Sequence, residues 1–391
     1  MRDVHIIPSV SKLYVEIPKP SLTDERGDFE RLAAALTVYD IEATIGVPLA
    51  RQLPQILRDS DFKVTAVVAD HELIAVETGY TVRQNYGIAF DLGTTTVAGY
   101  LIDLNTGHEV AVAGAMNPQI AYGDDLVSRI NFAMTEPGGL DILRRAASDV
   151  LNKVARQLYE LEGIDGHSVY EVTLVGNTCM THLFLGLDVS HLGVAPFVPS
   201  VCQAMVLRGD DSGLDVNPGA RIHVLPNVAG FVGSDLVGVV LATLREDEDH
   251  TRLAVDVGTN GEMALVHKGQ LYSCSAAAGP AFEGARISCG MRGSSGAIDS
   301  VKITDKVYIT TVDDRRPIGL CGSGLVDVVA ELLRIGIIDP TGRMLSAEEV
   351  EHLPQAVRER LIVVDDAVEF ILATEQEAGR RDPITLTQRD V

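Results

Sequence analysis

Cysteine is scarce and scattered in this chain. Five stand among 391 residues, at positions 179, 202, 274, 289 and 321. None forms a C-x-x-C pair, which argues against a zinc site or a disulfide framework and for free thiols in a reducing compartment. No apolar run approaches the length of a membrane span, and no signal-peptide pattern opens the chain, so the expected location is cytoplasmic. Positive charge is also short: 32 Lys and Arg face 55 Asp and Glu, for a formal charge of −23. That balance disfavours nonspecific nucleic-acid binding and anionic membrane surfaces, and its ordinary consequence is solubility. The G-x-x-x-x-G-K-[ST] loop is missing, which excludes a P-loop ATPase. Gly319-Leu-Cys-Gly-Ser-Gly324 carries glycines around a serine, but in the wrong order for a hydrolase elbow.

What the chain does hold is a repeat. Tyr86-Gly-Ile-Ala-Phe-Asp-Leu-Gly-Thr-Thr-Thr96 recurs, altered, as Arg252-Leu-Ala-Val-Asp-Val-Gly-Thr-Asn260. Each copy is an apolar run that ends in Asp-x-Gly-Thr. Second strands are expected at 96–102 and 261–266, and third strands at 109–115 and 270–276. A glycine in such a turn lets backbone N–H groups approach an anion closely. Thr94, Thr95 and Thr259 add hydroxyl donors. Asp91 and Asp256 suit Mg²⁺ held through water, since that ion dehydrates reluctantly. One copy alone reads equally as an ordinary β-turn built on Asp and Gly. Two copies with matching downstream strands favour a pair of phosphate-binding hairpins, one in each half of the chain, with a nucleotide between them.

Three segments are expected. Residues 1–85 read as a small α+β unit, with a strand at 12–17, a helix-start signal around Thr23 or Asp24, a short helix at 48–57, and a hairpin from 63–70 and 72–78. It carries no catalytic constellation and serves as a scaffold or dimerisation surface. Residues 86–250 form a first lobe, with helices at 124–132, 140–161, 178–185 and 233–244 and strands at 172–175 and 221–225. Residues 251–391 form a second lobe.

The paired hairpins resemble the actin–Hsp70–sugar kinase superfamily. Further stretches are similar to one of its branches, the ATP-dependent reductive activators of corrinoid proteins. They are Leu174-Val-Gly-Asn-Thr-Cys-Met-Thr-His-Leu183, Ala278-Gly-Pro-Ala-Phe-Glu-Gly-Ala285, Ile287-Ser-Cys-Gly-Met-Arg292 and Pro317-Ile-Gly-Leu-Cys-Gly-Ser-Gly-Leu-Val-Asp327. The opening Val15-Glu-Ile-Pro-Lys-Pro-Ser-Leu-Thr-Asp24 with Glu30-Arg-Leu32 resembles that family's middle domain. The resemblance implies an α/β, actin-like (ribonuclease H-like) two-lobe ATPase fold preceded by a small α+β domain. It implies ATP and Mg²⁺ as ligands, and an ATP-dependent reduction of a Co(II) corrinoid protein to Co(I) for methyl transfer. It also implies a ferredoxin-type electron donor and a homodimer formed through residues 1–85.

Gly93, Gly258, Thr259 and Asn260 complete the two phosphate motifs beside Asp91, Thr94, Thr95 and Asp256. Asn177 either orients an attacking water or caps the helix that follows it. Asp235 either joins Asp91 and Asp256 around Mg²⁺ or caps its own helix. Glu283 either binds a ribose hydroxyl or sits on a solvated turn. Gly322 and Ser323 either face a nucleotide through their amides or allow close packing. Members of the family begin with a C-x₄-C-x₂-C ferredoxin domain holding a [2Fe–2S] cluster, and they continue past a segment like Ile384–Val391 to a Gly-Gly adenosine motif and a closing helix. Neither pattern occurs here, so a fragment at both ends is the expectation, with the cluster only in a domain outside this chain. Two other readings stand beside this one. The first is an activator of 2-hydroxyacyl-CoA dehydratases, using Cys274, Cys289 or Cys321. The second is a partner-binding module that hydrolyses nothing.

Overall fold

The computed structural model describes residues 7–243, 250–258, 260–277, 281, 284, 287–291 and 293–391. Thr259 and Glu283 lie outside the described residues. The chain divides into two units, Met1–Asp247 and Glu248–Val391.

The first unit opens with a four-stranded sheet in the order Val10–Glu16, Lys63–Ala69, Glu72–Thr78, Thr44–Ile45. Its hairpin turns at Asp70 and His71, both with positive φ, the two-residue geometry whose twist matches that of the strands. Helices Asp28–Leu36 and Leu53–Asp59 place Leu32, Leu36, Leu53 and Leu57 against Val64, Ala66 and Val68. The first helix begins later than the sequence suggests. Gly27 is its N-cap and no side chain caps it. Asp24 instead accepts from Arg31 at 2.7 Å and from Arg26 at 2.9 Å. Arg31 is buried, and a buried guanidinium needs its counter-charge more than a helix end needs a cap.

The second sheet of this unit runs Glu109–Met116, Thr96–Asp103, Tyr86–Leu92, Val169–Val175, Arg221–Val224, Met205–Arg208. The first three strands are an antiparallel meander. Val169–Val175 then pairs parallel to Tyr86–Leu92, and Arg221–Val224 parallel to it in turn. Strand alternation buries Ile88, Phe90 and Leu92 on one face and turns Asp91 to the other, where it is exposed. The buried face is covered by the 24-residue helix Gly139–Glu162, whose Leu143, Ala147, Val150, Leu151, Val154 and Leu158 recur at helical spacing.

The small sheet is fastened to the larger one by two ionic clusters. Lys12 Nζ lies 2.6 Å from Glu77 and donates to Gln84 O at 2.7 Å, while Tyr170 O–H donates to Glu77 at 2.6 Å. Glu72 accepts from Arg208 at 3.0 Å and from Arg221 at 2.6 Å.

Among the described residues, the second unit holds three three-stranded sheets. Arg252–Val257, Asn260–His267 and Gln270–Ala277 form an antiparallel meander that matches the one at 86–116. The match stops there. Tyr86–Leu92 has a parallel neighbour on its other side, whereas Arg252–Val257 is an edge strand among the described residues. Leu253, Val255 and Val257 on it are at least half exposed. Helix Gly322–Ile335 packs on strand Ala297–Ile303, with Leu325, Val328 and Leu332 against Ile298, Val301 and Ile303.

Replacing Tyr170 with Phe removes one donor from a half-buried carboxylate. It should lower the unfolding free energy by about 2 kcal/mol, the usual worth of a hydrogen bond to a charged group. Urea titration reads this as a lower midpoint; an unchanged midpoint would mean that Lys12 and Thr81, which also donate to Glu77, hold it without Tyr170.

Candidate nucleotide site

Residues 93–95 form the turn between the first two strands of the meander. Each of its three carbonyls is held from behind. Asn117 Nδ2 donates to Gly93 O at 2.9 Å, Arg129 Nη2 to Thr94 O at 2.6 Å, and the Asn117 backbone N–H to Thr95 O at 2.9 Å. A trans peptide points its N–H opposite to its C=O. Pinning the carbonyls inward therefore turns the N–H groups that follow them toward the opposite side, as an anion-binding turn requires. Gly93 is required by space: a Cβ there would sit 2.5 Å from Thr96 O. Thr94 is drawn inward, only 5% exposed, with its hydroxyl accepting from Asn177 Nδ2 at 2.9 Å. Its side chain and carbonyl are both held inward, and its N–H, which follows the pinned Gly93 carbonyl, turns to the opposite side. Thr95 is half-buried.

Two further turns meet this one. Asn177 follows strand Val169–Val175 and starts helix Thr178–Leu185, with its Oδ1 accepting from Met180 N–H at 3.0 Å. Both ends of its amide are thus engaged, one as a helix cap and one on Thr94. Ser234 starts helix Ser234–Thr243. Its hydroxyl donates to Gly176 O at 3.0 Å and accepts from Gly176 N–H at 3.1 Å, and its backbone N–H donates to the same carbonyl at 3.0 Å. Gly233 has no room for a side chain, since a Cβ would lie 2.4 Å from Asn177 Cα. Asp235, next in line, is half-buried, and its carboxylate accepts from Leu236 N–H at 2.8 Å. The structure therefore gathers the turn after Asp91, Gly176–Asn177 and Gly233–Asp235 beyond the carboxyl ends of parallel strands, where open α/β sheets bind ligands.

In the second unit, Asp256 stands near the end of its strand, directly opposite Glu262, which is 3% exposed. Asp256 is half-buried, and burial raises its carboxyl above the ordinary value. The turn closes with Gly258 N–H donating to Asn260 O at 3.1 Å. Gly322 and Ser323 begin the helix Gly322–Ile335. Their surroundings are those of a packed joint: a Cβ on neighbouring Gly324 would lie 2.2 Å from Ile298 O, and the Cys321 thiol donates to that same carbonyl at 3.2 Å. Among the described residues, no group of three or more His, Cys, Asp or Glu is placed to hold a metal ion, and no helix is long and apolar enough to cross a membrane.

The brace behind the first turn went unread in the sequence. Asn117, Gln119 and Arg129 are each buried completely, yet an arginine within a helix ordinarily signals a solvated face.

Three consecutive family models match the chain. The RACo linker region matches residues 1–83, the RACo middle region 86–246, and the C-terminal domain of RACo, the ASKHA domain, 250–391. The chain belongs to the RACo family. A solved reductive activator for corrinoid, iron–sulfur protein superposes on the RACo chain described here with a TM-score of 0.88 and 35% identity, over 100% of this chain and 62% of that one. The corrinoid activation enzyme RamQ of Eubacterium limosum is 33% identical over 384 residues, covering 93% of this chain and 63% of that protein. The [Co(II) methylated amine-specific corrinoid protein] reductase of Methanosarcina barkeri is 27% identical over 313 residues, covering 70% of this chain and 56% of that protein. This RACo chain thus spans about three-fifths of the length of its relatives. Its fold is the α/β, actin-like ASKHA class, preceded by a smaller domain.

Because burial holds the Asp256 proton more tightly in the folded protein than in the unfolded chain, ionised Asp256 subtracts stability at neutral pH. Asp256→Asn should raise the thermal midpoint at pH 7. The gain should shrink as pH falls through the raised folded value, and vanish below about 4, the unfolded carboxyl value. Melting curves across this range check the sign; an equal or lower midpoint at pH 7 would contradict it.

Proposed function

We propose that this chain is the nucleotide-binding part of a reductive activator, which uses ATP to support reduction of a Co(II) corrinoid protein to Co(I). The observation that carries the reading is the turn at 93–95, with every carbonyl held inward and Asp91 exposed on the preceding strand. Such a turn suits the phosphates of ATP. Asp91 and Asp235 offer hard carboxylate oxygens of the kind Mg²⁺ takes, and Asp256 offers the same in the second unit. Bound with ATP, that ion neutralises charge on the transferring phosphoryl group. The chain's own part is to orient the phosphates through the backbone at Gly93, Thr94 and Thr95 and through the second motif at Gly258, Thr259 and Asn260. Asn177 keeps Thr94 in place, and Glu283 is proposed to hold the ribose.

The reduction needs one electron per cobalt, supplied by a ferredoxin-type [2Fe–2S] domain or protein, and ATP turnover would drive the conformational change that makes the corrinoid accept it. The names of all three relatives support a corrinoid partner. We assign residues 1–85 as a dimer surface on the exposure of Leu22, Val38 and Val47. A cytoplasmic location suits a Co(I) product and five free thiols.

The test combines this chain, a reduced ferredoxin-type donor and a Co(II) corrinoid protein under anaerobic conditions. Loss of the Co(II) electron-paramagnetic signal should require ATP. Asp91→Ala should slow ATP hydrolysis by about a hundredfold, since electrostatic stabilisation dominates phosphoryl transfer. An unchanged rate would remove Asp91 from the mechanism; ATP-independent reduction would remove the nucleotide from the function.

A further inference from the structure

Among the described residues, four Lys and Arg side chains are buried: Lys12, Arg31, Arg129 and Arg221. Three sit on carboxylates, Lys12 on Glu77, Arg31 on Asp24 and Arg221 on Glu72. Arg129 is the exception. It is 0% exposed, and every acceptor it reaches is neutral: Thr94 O at 2.6 Å, Gly123 O at 3.0 Å, Gln119 Oε1 at 3.2 Å and Met180 Sδ at 3.2 Å. Asp125 and Asp124 favour its charge through space, but neither carboxylate is among its hydrogen-bond acceptors, and Asp125 caps its own helix through Ser128 N–H at 2.8 Å. Cys179 does not neutralise it either, because burial pushes that thiol up to about 12. Burial brings Arg129 itself down to about 10, still charged at neutral pH.

A buried cation whose hydrogen-bond partners are all neutral costs several kcal/mol. An anion bound close by lowers that cost. Arg129 lies directly behind Thr94, holding its carbonyl, so that the N–H that follows turns toward the proposed phosphate position. The chain as a whole is strongly negative, at −23, and would repel a polyphosphate. We infer that Arg129 is a positioning residue with two effects: it fixes the phosphate turn through Thr94 O, and its charge, which no contacting carboxylate neutralises, draws polyphosphate to that turn. The inference rests on the nucleotide reading above and assigns the source of its positive field.

The test is calorimetric titration of the full chain with ATP, ADP and adenosine, each at two salt concentrations. Gln119→Glu sets a carboxylate against Arg129 with little change of shape. It should weaken ATP about tenfold, ADP less, and adenosine not at all, because the lost interaction acts on charge. Gln119→Met, which gives up the same bond to Leu143 O without adding charge, should leave the preference for ATP over adenosine intact. Arg129→Lys should keep that preference and Arg129→Gln should abolish it, which carries the test should Gln119→Glu fail to fold. If wild-type protein binds ATP and the lysine and glutamine variants lose it equally, the charge is irrelevant and the inference fails alone. If the wild type binds no ATP, the nucleotide reading fails first and this one with it.

Discussion

The turn at 93–95 is held by its carbonyls. Three consecutive backbone oxygens accept from groups that lie behind them: Gly93 O from the Asn117 side chain, Thr94 O from the Arg129 side chain, and Thr95 O from the Asn117 backbone N–H. Everything proposed for the site depends on this. A free hairpin turn samples several conformations, and an anion must then order it at an entropic cost. Here that ordering is part of folding. Gln119 extends the brace into the helical layer by donating to Leu143 O at 2.8 Å, so the long helix that covers the sheet also steadies the turn. Preorganised amides of this kind are worth most where charge must be stabilised without rearrangement.

Steric exclusion does the remaining positioning. Gly93 and Gly233 occupy places where a Cβ would overlap backbone atoms of a neighbouring turn or strand. Three chain segments consequently approach within hydrogen-bond distance at one end of the parallel strands. Thr94 meets Asn177, and Gly176 meets Ser234, so a shift in any one turn is felt by the other two. This coupling gives a route by which a change at the turn at 93–95 reaches helices Thr178–Leu185 and Ser234–Thr243.

Much of this was legible in the sequence, and the gaps have physical causes. Both meanders could be read because strand alternation, Asp-x-Gly-Thr and the spacing of the next two strands recur. Helix Thr178–Leu185 was bounded correctly because Asn177 and Gly186 punctuate it. The start of helix Asp28–Leu36 was not, because Asp24 has two possible duties, capping and neutralising Arg31, and only packing decides between them. Thr94 read as a hydroxyl donor to ligand, yet its side chain faces Asn177, a contact 83 residues away in sequence. Arg129 was invisible for the same reason. Its helix position resembles a solvated one, and its burial arises only when the turns at 93–95 and 117–123 fold over it.

The two copies of the motif are not physically equivalent, and that asymmetry bears on how they divide the work. In the first, the turn is braced from behind by a cation and Asp91 is exposed. In the second, Asp256 is half-buried opposite a buried Glu262, and its carboxyl is raised by burial. A Cβ at Gly258 would meet Asn260 O at an ordinary 3.6 Å, against 2.5 Å at the equivalent Gly93 contact. Among the described residues, space therefore dictates glycine in the first turn and not in the second. A raised carboxyl prefers a proton or a cation to bare ionisation. The first turn thus suits negative charge, and the carboxyl of the second suits a proton or a cation.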